Sequence, residues 1–103
     1  MQGEPCNRVE LRATLTERGL LRYSPAGVPL LSATLRHASQ QLQAGVARAV
    51  ELELSAVFAG QLAERADRVA LGASILARGF LAPRRKASRL MQLNVTEFEL
   101  IEV

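Results

Sequence analysis

Ten side chains in the sequence could hold an anion or stack on a flat ring, and they gather in a few short stretches. Arg18 is followed by Arg22 and Tyr23 at the head of RYSPAGVP, then by Arg36 with His37, by Arg48, and by Arg84, Arg85, Lys86 and Arg89 in and beside APRRKAS. Guanidinium groups meet phosphate oxygens in a fork, and an exposed aromatic ring offers its face to a base. The chemistry these residues would perform is the holding of a nucleic-acid strand. Turnover is not expected, because with one His, one Cys and one Asp no metal cluster and no nucleophile with its base and orienting group is evident. Glu51 and Glu53, two apart on one strand face, read as a solvated edge. GASILARG lacks the Lys and Ser/Thr of a P-loop. Catalytic residues, metal and cofactor are therefore all expected to be none.

Alternating runs supply the elements that must position these residues. From Asn7 to Thr16, Val9, Leu11, Ala13 and Leu15 fall on one side and charged or hydroxyl residues on the other, the period of a half-buried strand. Leu30 to Arg36 repeats the pattern after the Pro/Gly turn, and Arg48 to Phe58 repeats it again. The intervening HASQQLQAGVA, His37 to Ala47, is polar and reads as a long loop. AGQLAERADRVAL changes to three- and four-residue spacing, which predicts a short amphipathic helix over Gly60 to Val69 that plugs one end of the fold. Ser74 to Leu81 is a fourth strand, with Gly79 marking a bulge or tight bend. Leu90 to Val103 is a fifth, whose inward phase slips near Thr96 and Glu97 as a β-bulge would make it. Phe58, Phe80 and Phe98 take core phases, leaving Tyr23 as the aromatic expected in solvent.

Three strands, a helix and two strands is the order of the OB-fold, so the expected class is all-β, a five-stranded barrel with one short helix between strands three and four. The basic stretches then fall at the loops joining strands one to two and four to five and at the ends of strands two and three. Pro25 and Pro29 stiffen the first of these loops, so Arg22 and Tyr23 would lose less entropy on binding.

At 103 residues, with 49% apolar and 22% charged, the chain is expected to form one globular domain over residues 7–103 behind a flexible leader, residues 1–6. Its net charge of +3 is mild, but twelve of the thirteen bases are Arg, from phosphate chemistry or from arginine-rich coding. Cys6 is alone, so no internal disulfide can form. The leader MQGEPCN has no signal-peptide pattern, and no run approaches the roughly 18 apolar residues of a membrane span. A cytoplasmic location is expected.

Several motifs sharpen this reading: Asn7-x-Val9-x-Leu11, the turn SPAGVP (Ser24 to Pro29), HASQQLQAG before Arg48, the Gly79-Phe80 step, and FELIE (Phe98 to Glu102). From Asn7 to Glu102 the chain resembles the bacterial primosomal replication protein N (PriB) family, relatives of single-stranded DNA-binding proteins. The resemblance implies an OB-fold homodimer that binds single-stranded DNA and assists the PriA helicase, and in some bacteria DnaT, in replication restart. It assigns basic binding positions to Arg22, Arg48 and the cluster Arg84, Arg85, Lys86 and Arg89. Where well-known members carry aromatics this chain has Val46 and Glu51, and its basic loop is shorter. Charge is therefore expected to dominate affinity, and the alternative is a protein-interaction adaptor with incidental DNA contact.

Overall fold

The computed structural model describes residues 6–101. The expected leader lies mostly outside that range, with Cys6 alone described, exposed and unbonded.

The elements are β1 (Val9–Arg18), β2 (Arg22–Tyr23), β3 (Pro29–Gln43), β4 (Val46–Ala59), α1 (Gln61–Ala66), β5 (Ser74–Pro83) and β6 (Met91–Leu100). Hydrogen bonding runs β1-β5-β6-β4-β3-β2, and an added β1–β3 pairing closes five strands into a barrel. The β4–β6 contact is parallel; the other pairings are antiparallel. This is the expected OB barrel, with β2 a two-residue ribbon on β3.

The alternating residues meet inside. Leu15, Leu31, Leu35, Phe58, Ile75 and Leu93 are fully buried, each burial stabilising by roughly 1.5–3 kcal/mol. The Phe58 and Phe98 rings meet edge to face at 5.4 Å. Ala63, Ala66 and Val69 of the helical segment are buried against them, and small side chains let it sit close. Arg65 lies 4.6 Å over the Phe98 ring and so seals that end.

The bulge expected near Thr96 is present. Arg78 pairs with Glu97 and Gly79 with Val95, so Thr96 has no partner, and the inward phase moves from Val95 to Phe98. Met91 and Leu100, expected inside, are exposed. A second bulge, at Thr16, lets β1 leave β5 and join β3.

One expectation is overturned. His37 to Ala47 is not a loop: β3 and β4 continue as a paired ladder from Leu30↔Ala59 out to Gln43↔Val46. The reversal is a tight turn at Ala44 (φ 53) and Gly45 (φ 78), both in the left-handed region that such two-residue turns require. Sequence reasoning failed here because the arm stands clear of the core, so no apolar alternation marked it, and the turn uses Ala where Asn or Asp is the usual signal. The strand ends shift accordingly, and α1 is shorter than Gly60 to Val69.

At the other end, Asn7 acts as a strand residue through its side chain. Its amide donates to the Leu81 carbonyl at 2.8 Å and accepts the Leu81 N–H at 2.9 Å, extending the β1–β5 register by two residues. Asn7→Ala should fray this edge and cost about 1 kcal/mol, measurable by urea unfolding.

Candidate nucleic-acid interface

The barrel divides the ten candidate residues by what each already holds. Arg18 is committed to the fold. Its guanidinium donates to the carbonyls of Ala66 and Val69, orphaned at the end of α1, and lies 3.9 Å from the Asp67 carboxylate. Arg18→Ala should therefore cost about 1–2 kcal/mol of stability. DNA affinity of the folded protein should change less than about twofold, as urea unfolding and a binding isotherm on one preparation would show.

His37 is similarly engaged, where β3 parts from β1. Nδ1 lies 2.7 Å from the Arg12 carbonyl, which can only accept, so Nδ1 carries the proton; Nε2 lies 2.8 Å from Ser39 Oγ. Both ring nitrogens thus tie the arm to the barrel. Arg36 pairs with Glu51 at 3.2 Å; the pair is exposed, adds little stability and cancels local charge. Arg48 donates to Gln43 at 2.7 Å on the opposite face of the arm. Val46 stands exposed at the arm tip, so neither departure from the aromatic pattern is replaced by a ring nearby.

Arg22 and Tyr23 also separate. Arg22 pairs with Leu30 and Tyr23 with Pro29, and directly opposed residues share a face while sequence neighbours take opposite ones. Arg22 therefore shares the outer face with Leu30, Ser32 and Thr34. Tyr23 is 61% exposed, but on the other face.

The basic loop stands over that outer face. Arg84 lines a cavity of about 370 Å³ with Arg18, Ser32, Thr34 and Ser55, and Glu17 closes its β1 side. The loop is shaped by hydrogen bonds from the Arg84 N–H to the Leu90 carbonyl and from the Ser88 N–H to the Arg85 carbonyl, both 2.9 Å. Among the described residues, Arg22, Arg84, Arg85, Lys86 and Arg89 enter no ion pair and no side-chain hydrogen bond. Arg22 and the loop cluster are thus the candidates with free charge.

The registers define a surface between them. One outer row runs Phe80, Asn94, Val57 and Ser32 across β5, β6, β4 and β3. A second row carries Ala82 and Gln92 on β5 and β6, and Ser55 and Thr34 on β4 and β3. Neither row holds a carboxylate. Acids flank them: Arg36 with Glu51 on one side, and on the other Arg78, 2.7 Å from Glu10 and 3.5 Å from Glu97. The hydrogen bond to Glu10 holds the Arg78 guanidinium above its ordinary pKa, so this pair keeps its charge.

Phe80 was missed by sequence reasoning: it is 42% exposed and outside the core. Ile75, Ala77 and Gly79 occupy the inward phase, which turns Phe80 outward. That phase was legible in ILARGF, but an inward glycine does not look like a core residue.

Residues 7–97 match the model of a family described as "another single-strand binding protein family". A replication restart protein PriB of Bordetella pertussis is 42% identical over 91 residues, covering 88% of this chain and 85% of that one. The chain belongs to the PriB family. The crystallised PriB of Ralstonia solanacearum superposes with a TM-score of 0.88 at 37% identity, covering 95% of this chain and all of that one. The single-stranded DNA binding protein of Thermus aquaticus superposes at 0.74 and 26% identity, with 94% of this chain on 50% of that one. The PriB family thus shares its barrel with single-stranded DNA-binding proteins. Within that barrel, Asn7 anchors β1, the Ser24 to Pro29 turn carries Arg22, and Gly79 seats β5 on β6. Among the described residues no helix is long and apolar enough to cross a membrane.

Proposed function

We propose that this protein is a non-catalytic, cytoplasmic accessory of replication restart that holds single-stranded DNA by its phosphates and assists a PriA helicase, with DnaT where the organism has it. The observation that carries the reading is the set of five uncompensated cations, Arg22, Arg84, Arg85, Lys86 and Arg89, beside rows of Ser, Thr, Gln and Asn free of carboxylates. Family membership supports the role in restart. A non-sequence-specific grip suits this surface, because phosphate contacts carry no sequence information. Arg36, His37 and Arg48 contribute less, being tied to Glu51, the β1 backbone and Gln43.

The test compares helicase unwinding of a forked DNA with the wild type and with Arg22→Ala/Arg84→Ala/Arg85→Ala, alongside single-strand binding by each. Joint loss of binding and stimulation is expected. Stimulation that survives loss of DNA binding would instead support the adaptor reading, which Val46 and Glu51 motivate.

The working unit is a homodimer. Over Val9 to Ala13 β1 pairs only with β5, leaving its other edge open apart from the Arg12 carbonyl. Antiparallel pairing with the same edge of a second copy would cover it. At micromolar concentration the mass should be twice the 11.2 kDa of one chain; a monomer mass would contradict this.

A further inference from the structure

We infer that the single-strand track continues past the basic loop, across the outer face of β6, and ends on Phe80, which serves as the stacking platform of this protein in place of Tyr23. The inference rests on the proposed DNA-binding function and assigns that surface a residue and a direction.

Three observations carry it. The first is continuity. Ser32, Val57, Asn94 and Phe80 are successive partners in the ladder, so three inter-strand steps, roughly 14 Å, separate Ser32 from Phe80. That is a span of a few nucleotides. The side chains between can meet a sugar-phosphate strand without repulsion, since Asn94, Gln92 and Ser55 are neutral hydrogen-bonding groups.

The second is confinement. The track is bounded on one side by Arg78 with Glu10 and Glu97, and on the other by Arg36 with Glu51. A phosphate strand straying either way would meet a carboxylate. Free cations stand at its ends and above it: Arg22 beyond Ser32, the Arg84 to Arg89 cluster overhead, and Arg8, which the Val9↔Gly79 register continued by one residue sets beside Phe80. Asn7 bonding to Leu81 on both polar atoms shows that this register does continue.

The third is the ring itself. Phe80 is outward and half exposed, and no other ring and no cation covers it among the described residues. Tyr23 is more exposed but lies on the face opposite Arg22, away from the rows. A base leaving the basic loop along the track meets Phe80 and not Tyr23.

Stacking and charge leave different signatures, which makes the test sharp. Loss of a stacking ring weakens binding roughly 5- to 150-fold per base. It leaves the slope of log affinity against log salt unchanged, because no phosphate contact is removed. The probe is oligo-dT in a salt titration with wild type, Phe80→Ala, Phe80→Leu, Phe80→Trp and Tyr23→Ala. Expected are at least fivefold weaker binding by Phe80→Ala and Phe80→Leu at the wild-type slope, wild-type binding by Tyr23→Ala, and full binding by Phe80→Trp. The Phe80→Trp indole, the only Trp in that chain, should be quenched on binding. Phe80→Leu keeps an apolar side chain, so its loss cannot be ascribed to misfolding if its unfolding curve matches wild type.

Wild-type affinity and slope in Phe80→Ala, or an unquenched indole, would overturn the inference while leaving phosphate binding intact. A changed mass for Phe80→Ala would overturn it by assigning the ring to contact between copies. No binding of oligo-dT by the wild type at low salt would overturn both the inference and the function beneath it.

Discussion

Gly79→Ala is expected to destabilise the protein by roughly 3 kcal/mol or more, the upper end of what overpacking costs. A Cβ at this position would lie 2.0 Å from the Asn94 carbonyl oxygen, 2.8 Å from its carbon and 3.0 Å from the Val95 Cα. All three are backbone atoms of the paired strand, so no side chain can swing aside. The β5–β6 ladder must open where the Thr96 bulge has already drawn the strands together. Gly72→Ala is the matched control: there φ is +90° and nothing lies within 4 Å of the added carbon, so only backbone strain of about 1 kcal/mol is added. Urea unfolding followed by circular dichroism measures both. Equal and small losses would mean that β5 and β6 are not so closely seated. Because Phe80 follows Gly79 directly, opening the ladder should also weaken DNA binding in whatever fraction remains folded.

The second large effect concerns charge. Replacing Arg84, Arg85, Lys86 and Arg89 together by Ala should weaken single-strand binding by at least about 100-fold near 100 mM salt. It should also flatten the log-log salt slope by about 2.8, at roughly 0.7 per phosphate contact on a single strand. Stability should be nearly unaffected, because the four side chains are exposed and enter no ion pair or side-chain hydrogen bond among the described residues. Arg36→Ala is the comparison. It removes one charge already balanced by Glu51, so affinity should fall less than about threefold. Fluorescence anisotropy of a labelled oligo-dT reports both.

The barrel was legible because its inner residues are large, apolar and strictly alternate: Leu15, Leu31, Leu35, Phe58, Ile75 and Leu93 mark their strands unaided. Even the Thr96 bulge showed, as a slip from Val95 to Phe98. The arm was not legible, because outside the barrel nothing selects apolar residues, and Ser39, Gln41 and Gln43 alternate with Ala38, Gln40 and Leu42 without contrast. Among the site residues, type and loop position were readable but commitment was not. Whether a guanidinium is free depends on partners distant in sequence. Arg18 is spent on carbonyls about fifty residues away, and Arg36 on a glutamate fifteen residues on. Arg22 and the loop cluster kept their charge, and no local pattern distinguished them. Tyr23 and Phe80 exchanged places for a related reason: ring exposure follows strand phase, and Gly79 disguised the phase of β5.

A salt titration of wild-type binding to single-stranded oligo-dT, from about 20 to 300 mM, tests most directly whether free basic side chains hold the strand. Three to five of them on phosphates give a slope of log affinity against log salt between about −2 and −3.5. A slope shallower than about −1, or affinity that does not change with salt, would contradict a phosphate-held strand.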